Sequence, residues 1–127
     1  MFKSLLPSAV AAFALLITPV AASAHTKLVS STPAANSTVS KVTSVNLKFN
    51  EKVVASTLKT ELVMTGMPGM ANHAPMKIPA TSAMGKDAKS LTLTAKRALV
   101  PGAYRVKWSA AGADTHRMGS EFSFTVK

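Results

Sequence analysis

From residue 25 onward, apolar and polar residues alternate with a period of two along most of the chain. Val45, Leu47 and Phe49 alternate with Asn46, Lys48 and Asn50. Leu58, Thr60, Leu62 and Met64 share one face, with Lys59 and Glu61 on the other. Leu91 and Leu93 alternate with Thr92 and Thr94, and Tyr104, Val106 and Trp108 with Arg105 and Lys107. Phe122, Phe124 and Val126 alternate with Ser123 and Thr125. Successive side chains of a strand point to opposite faces, so each run predicts a half-buried antiparallel strand. Lys27–Ser31 and a weak run over Met76–Pro79 bring the expected total to about seven.

Turn chemistry separates these runs: Pro33 to Ser37, Asn50 to Lys52, Gly85 to Asp87, and Pro101-Gly102. No stretch of twelve residues carries a convincing helical stripe. Many short strands with frequent turns predict an all-β sandwich of Greek-key type, with Tyr104 and Trp108 in its core.

Residues 1–24 break the pattern. Lys3 is followed by an apolar run from Leu5 to Val20, and Ala22-Ser23-Ala24 closes it with small residues. A positive start, an apolar middle and a small-residue exit predict a secretory signal peptide cleaved after Ala24. The run is short for an uncleaved anchor, since a spanning helix needs about 20 apolar residues. One domain over residues 25–127, beginning with His25, is then expected.

The segment from Met64 to Met84 stands apart in composition. It holds five of the seven methionines, three prolines and His73. Met64, Met67 and Met70 recur every third residue, but Gly66, Pro68, Gly69 and Pro75 oppose a helix. These thioethers are therefore expected on a loop. A thioether is a soft, neutral donor that suits Cu(I), and His73 and Met76 would add to the set. The competing explanation is that methionine fills irregular apolar gaps.

The second constellation joins His25 to Asp114 and His116. An N-terminal histidine offers its α-amine and its ring Nδ1 as one chelate. Asp114 and His116 are two apart, so on an extended chain they point the same way. Nitrogens with a carboxylate oxygen form the tetragonal set that Cu(II) favours, although zinc uses similar donors. All three histidines of the chain then fall in a candidate metal site.

Charge and cysteine content narrow the classes. The formal net charge is +10 and there is no cysteine. Thiolate sites and disulfides are thereby excluded. The basic residues are spread along the chain, which suits solubility or attraction to an acidic partner or anionic lipid. Nucleic acid is not expected, because no Arg-rich patch with interleaved aromatics occurs.

These features together resemble the periplasmic copper-resistance protein C family, the CopC and PcoC type. The resemblance rests on His25, Ser31-Thr32-Pro33 with Asn36 and Ser37, Leu47-Lys48-Phe49-Asn50, and the methionine segment. Pro101-Gly102-Ala103-Tyr104-Arg105-Val106 and the ending from Asp114 and His116 through Gly119, Phe122 and Phe124 complete it. It implies a seven-stranded Greek-key β-sandwich like the immunoglobulin and cupredoxin folds, with two copper sites at opposite ends. Cu(II) would sit at His25, Asp114 and His116, and Cu(I) at Met64, Met67, Met70, Met76 and His73. Met84 is left to packing, and Met118 to the neighbourhood of the Cu(II) site.

The implied role is a periplasmic copper carrier without catalytic activity. Its implied partners are an inner-membrane copper-uptake protein and a periplasmic multicopper oxidase. A monomer, or a weak dimer bridged by metal, is expected. Two rival readings remain. His25 and His116 resemble the pair that braces copper in certain exported monooxygenases, and a sandwich fold alone would suit a metal-free interaction module.

Overall fold

The computed structural model describes residues 25–71 and 73–127. The expected leader over residues 1–24, with its cleavage point after Ala24, lies outside them.

Nine strands occur among the described residues: β1 (Leu28–Thr32), β2 (Thr38–Val39), β3 (Ser44–Phe49), β4 (Lys59–Gly66), β5 (Met76–Lys77), β6 (Ala80–Met84), β7 (Ser90–Ala95), β8 (Gly102–Ala111) and β9 (Arg117–Val126). They form two sheets, in the orders β1-β3-β7-β6 and β2-β9-β8-β4-β5. The chain changes sheet between β1 and β2, β2 and β3, β3 and β4, β5 and β6, and β7 and β8. These are crossovers of the Greek-key kind, so the expected all-β sandwich is what forms.

The period-two runs explain the core. Val45, Leu47 and Phe49 from one sheet face Leu62, Tyr104, Val106, Trp108, Phe122 and Phe124 from the other, all buried. Trp108 meets Phe49 edge-on with ring centroids 4.9 Å apart, and Tyr104 stacks on Phe124 at 5.6 Å. The Tyr104 hydroxyl donates to the Val100 carbonyl at 2.6 Å, which satisfies its one polar atom. Burial pushes the Tyr104 phenol up from its ordinary value.

Two of the nine strands go beyond the seven expected. β2 is a two-residue pairing, parallel to the end of β9. β6 is uncharged and its Ala, Thr and Ser residues show no clean alternation, yet Ala80 to Met84 pair in register with Ala95 to Leu91. Its identity comes from the exposed edge of β7, which any extended chain can extend. The weak run at Met76–Pro79 is shorter than expected, with only Met76 and Lys77 in β5.

Strand directions set where the candidate sites fall. β8 runs from Gly102, beside Gly66 at the end of β4, to Ala111, beside Arg117 at the start of β9. At about 3.3 Å per residue, its ten residues separate the two ends of the sandwich by roughly 30 Å. The methionine segment lies at the Gly102 end and the residue 112–116 turn at the other.

Candidate metal centre

His25 and the pair Asp114 and His116 come from opposite ends of the described chain, and folding brings them together. His25 precedes β1, whose first residue, Leu28, pairs with Phe49. Thr26 is only 1% exposed and sinks beside Gly112, where a Cβ would stand 2.7 Å from Thr26 Oγ1. A side chain at residue 112 would thus push the terminal segment away. Asn50, just past β3, donates from Nδ2 to the His25 carbonyl at 3.1 Å and accepts the Lys27 N–H at Oδ1 at 2.7 Å.

Asp114 and His116 occupy the turn between β8 and β9. Thr115 N–H donates to the Gly112 carbonyl at 3.0 Å, and Thr115 itself takes a left-handed backbone with φ of 66°. The His116 N–H donates to Asp114 Oδ1 at 3.2 Å, which leaves Asp114 Oδ2 facing both rings. Oδ2 lies 3.3 Å from His25 Nδ1 and 3.5 Å from His116 Nδ1. The two imidazole centroids are 5.4 Å apart.

One ligand atom from each of the three residues lies within 4.8 Å of the others. Opposite ligands at about 2 Å per bond span about 4 Å across an ion. Small side-chain rotations close the difference. His25 Nδ1 is shielded from solvent yet has no hydrogen-bond partner among the described residues. A shielded ring nitrogen 3.3 Å from a carboxylate oxygen, with no well-formed hydrogen bond between them, is an arrangement that an ion shared by the two would satisfy.

The methionines are divided. Met67-Pro68-Gly69-Met70 forms a tight turn in which Met67 and Met70 exchange two backbone hydrogen bonds at 2.9 and 2.8 Å. Pro68 presets the first corner, and Gly69, with φ of +83°, takes the left-handed second one. Met67, Met70 and Met76 are 38%, 54% and 52% exposed.

Met64 does not join them. The expectation of a loop from residue 64 is corrected here: β4 continues to Gly66, and Met64 faces the core at 4% exposure. Its Cε packs where a Cβ on Gly102 would stand 3.0 Å away. The physical reason is its place in the run Leu62-x-Met64 on the inward face of β4, which outweighs the three-residue spacing to Met67. Met84 is partly buried against the core, in keeping with a packing role, and Met118 sits on β9 opposite Ala110.

His73 stands between the turn and β5. Its N–H donates to the Thr65 carbonyl at 3.1 Å, and its ring Nδ1 lies 2.8 Å from the Ala74 carbonyl. A carbonyl only accepts, so Nδ1 carries a proton, and in the neutral ring the lone pair is then on Nε2. Nε2 is shielded and has no hydrogen-bond partner among the described residues.

The sequence marks Asn50 as a turn residue and gives Thr26 no role. Only an Asn50 side chain reaching 25 residues back reveals its contact with His25. The presence of Asn50 in the block Leu47-Lys48-Phe49-Asn50 was the sole available signal.

Comparison with known proteins places these features in context. The CopC domain family matches residues 28–127. Copper resistance protein C of Escherichia coli is 41% identical over 106 residues, which are 84% of this chain and 84% of that protein. Copper resistance protein C of Xanthomonas campestris pv. juglandis is 45% identical over 104 residues, 82% of this chain and 81% of the relative. The crystal structure of PcoC, described as a methionine rich copper resistance protein from Escherichia coli, superposes with a TM-score of 0.75 at 38% identity. That match covers 82% of this chain and 100% of PcoC.

Proposed function

The chain belongs to the CopC family, and from that premise we propose that it is an exported, periplasmic copper carrier rather than an enzyme. In this reading the leader is removed after Ala24 and residues 25–127 form the working domain. Cu(II) is held by His25, through amine and ring, with Asp114 and His116. The observation that carries the reading is the convergence of those three residues within 4.8 Å from distant parts of the chain. Among the described residues, no helix is long and apolar enough to cross a membrane.

Cu(I) is held at the other end by Met67, Met70 and Met76, with His73 Nε2 as the nitrogen donor. Supporting this are three exposed thioethers close in sequence and a ring nitrogen whose lone pair is free. Met64, buried beneath them, contributes packing in place of a bond to the ion. The ends are roughly 30 Å apart along β8, so copper does not hop between them within one molecule. Each site therefore exchanges ligands with a partner, an inner-membrane uptake protein or a periplasmic multicopper oxidase.

Asp114 favours the carrier over a histidine-brace oxygenase. Its Oδ2 sits between the two rings, so a carboxylate takes a position that oxygen activation needs open. Copper titration of protein beginning at His25, under oxidising and then reducing conditions, tests the whole reading. One Cu(II) with nitrogen ligands in the spin-resonance spectrum and one Cu(I) with sulfur in the X-ray absorption edge are expected. Reductant-dependent oxygen consumption would point to the oxygenase, and no copper response at all to a metal-free module.

A further inference from the structure

Asn50 follows β3 directly, one residue after Phe49, whose buried ring is locked against Trp108. Its side chain grips the segment that carries His25. Nδ2 donates to the His25 carbonyl at 3.1 Å, and Oδ1 accepts the Lys27 N–H at 2.7 Å. The Asn50 N–H also donates to the Lys27 carbonyl at 3.1 Å. The amide orientation is forced, because a carbonyl needs a donor and an N–H needs an acceptor.

Thr26 lies between the two gripped groups and is itself buried beside Gly112. The peptide joining His25 to Thr26 is thus held from both sides. Only the Cα–C bond of His25 and its side-chain torsions remain free to swing the amine and the ring. Chain ends are ordinarily frayed, and ordering one at the moment of binding subtracts from affinity.

We infer that Asn50 is a positioning residue for the N-terminal chelate: it fixes the His25 backbone so that amine and Nδ1 face Asp114 before an ion arrives. This rests on the reading of His25, Asp114 and His116 as the Cu(II) site. No other side chain of similar size substitutes. Aspartate lacks the donor for the His25 carbonyl, and leucine lacks both groups. The clamp transfers the ordering of the terminus from the binding step to the folding step.

Asn50→Leu in protein beginning at His25 removes both side-chain bonds at similar volume. Cu(II) affinity by competition titration is expected to fall about tenfold, the lower range for residues that orient metal ligands. Amide exchange at Lys27 should quicken, while Cu(I) affinity stays as in the parent. The decisive arm repeats Asn50→Leu in a chain lengthened by one residue ahead of His25, where the amine is no longer a ligand. There the substitution should cost clearly less, because only the His25 ring is left for the clamp to position.

Cu(II) affinity of Asn50→Leu within twofold of the parent overturns the inference. So does an equal loss in the lengthened chain, which would mark a general structural effect. Asn50→Ala, read by the same criteria, serves if the leucine variant does not fold. A parent protein whose Cu(II) spectrum shows no nitrogen ligands overturns the site itself, and this is read before any Asn50 variant is made.

Discussion

At one end of β8, His25, Asp114 and His116 are tied to the sheets by the buried Thr26, the Asn50 side chain and the turn closed by Thr115. At the other end, Met67 and Met70 ride the tip of a short turn, with their side chains in solvent. Charge divides the same way. Glu51, Asp87 and Asp114 at the first end partly offset Lys27, Lys52, Lys86, Lys89 and Arg117 there, whereas residues 38–44, 65–81, 95–104 and 124–127 contain five basic residues and no acidic one to offset them. A divalent ion gains from a fixed carboxylate and is disfavoured among cations. A monovalent, soft ion bound by neutral sulfur tolerates both mobility and a basic surrounding. The two ends thus differ in rigidity, in ligand charge and in field, all in the direction that separates Cu(II) from Cu(I).

The strongest way to break this comparison is His116→Ala. Under the proposed function His116 is a direct ligand, whose loss should exceed the 10- to 100-fold effect of an orienting residue, so Cu(II) affinity is expected to drop more than about 100-fold. Cu(I) affinity should not move. His116 is largely exposed, so a denaturant melt should shift by no more than about 0.5 kcal/mol. Parallel losses of both affinities would show that the two ends are not separate sites.

Next in size is the contrast between buried and exposed methionines. Met64→Ala empties a core position and should cost about 2 kcal/mol of stability in denaturant unfolding, the low end for such truncations. Met67→Ala should leave stability within about 0.5 kcal/mol and weaken Cu(I) binding instead. If Met64→Ala proved neutral in stability but abolished Cu(I) binding, the division drawn here among the thioethers would be wrong.

The smallest effect sharpens the picture of the turn. A Cβ at Gly69 would meet nothing within 4 Å, but its φ of +83° disfavours any L side chain. Gly69→Ala should therefore act through the backbone alone, by about 1 kcal/mol. If that turn positions Met67 and Met70, Cu(I) affinity falls about fivefold and Cu(II) affinity is unchanged. No change in either titration would mean that the thioethers bind without help from the turn.

Much of the architecture was legible because strand patterning is local. Alternation at residues 45–49, 91–94, 104–108 and 122–126 marked strands that do form, with their apolar faces inward. β6 was not legible, since its residues carry no clean alternation and its pairing comes from β7. The spacing of Met64, Met67 and Met70 suggested one group, while the inward face of β4 claims the first of them. Asn50 showed only turn chemistry.

The sequence by itself determined the strand periodicity, the absence of thiolate chemistry and the stock of donors: a histidine at 25, a D-x-H at 114–116 and a methionine-rich segment. Those properties depend on residue type and near neighbours. Tertiary structure decided which donors meet. Residue 25 reaches 114 and 116 because β1 lies at the edge of one sheet and the β8–β9 turn closes the other, and β4 buries one methionine while leaving three outside. Proximity between residues some ninety positions apart is a property of the packed sheets, and no local pattern encodes it.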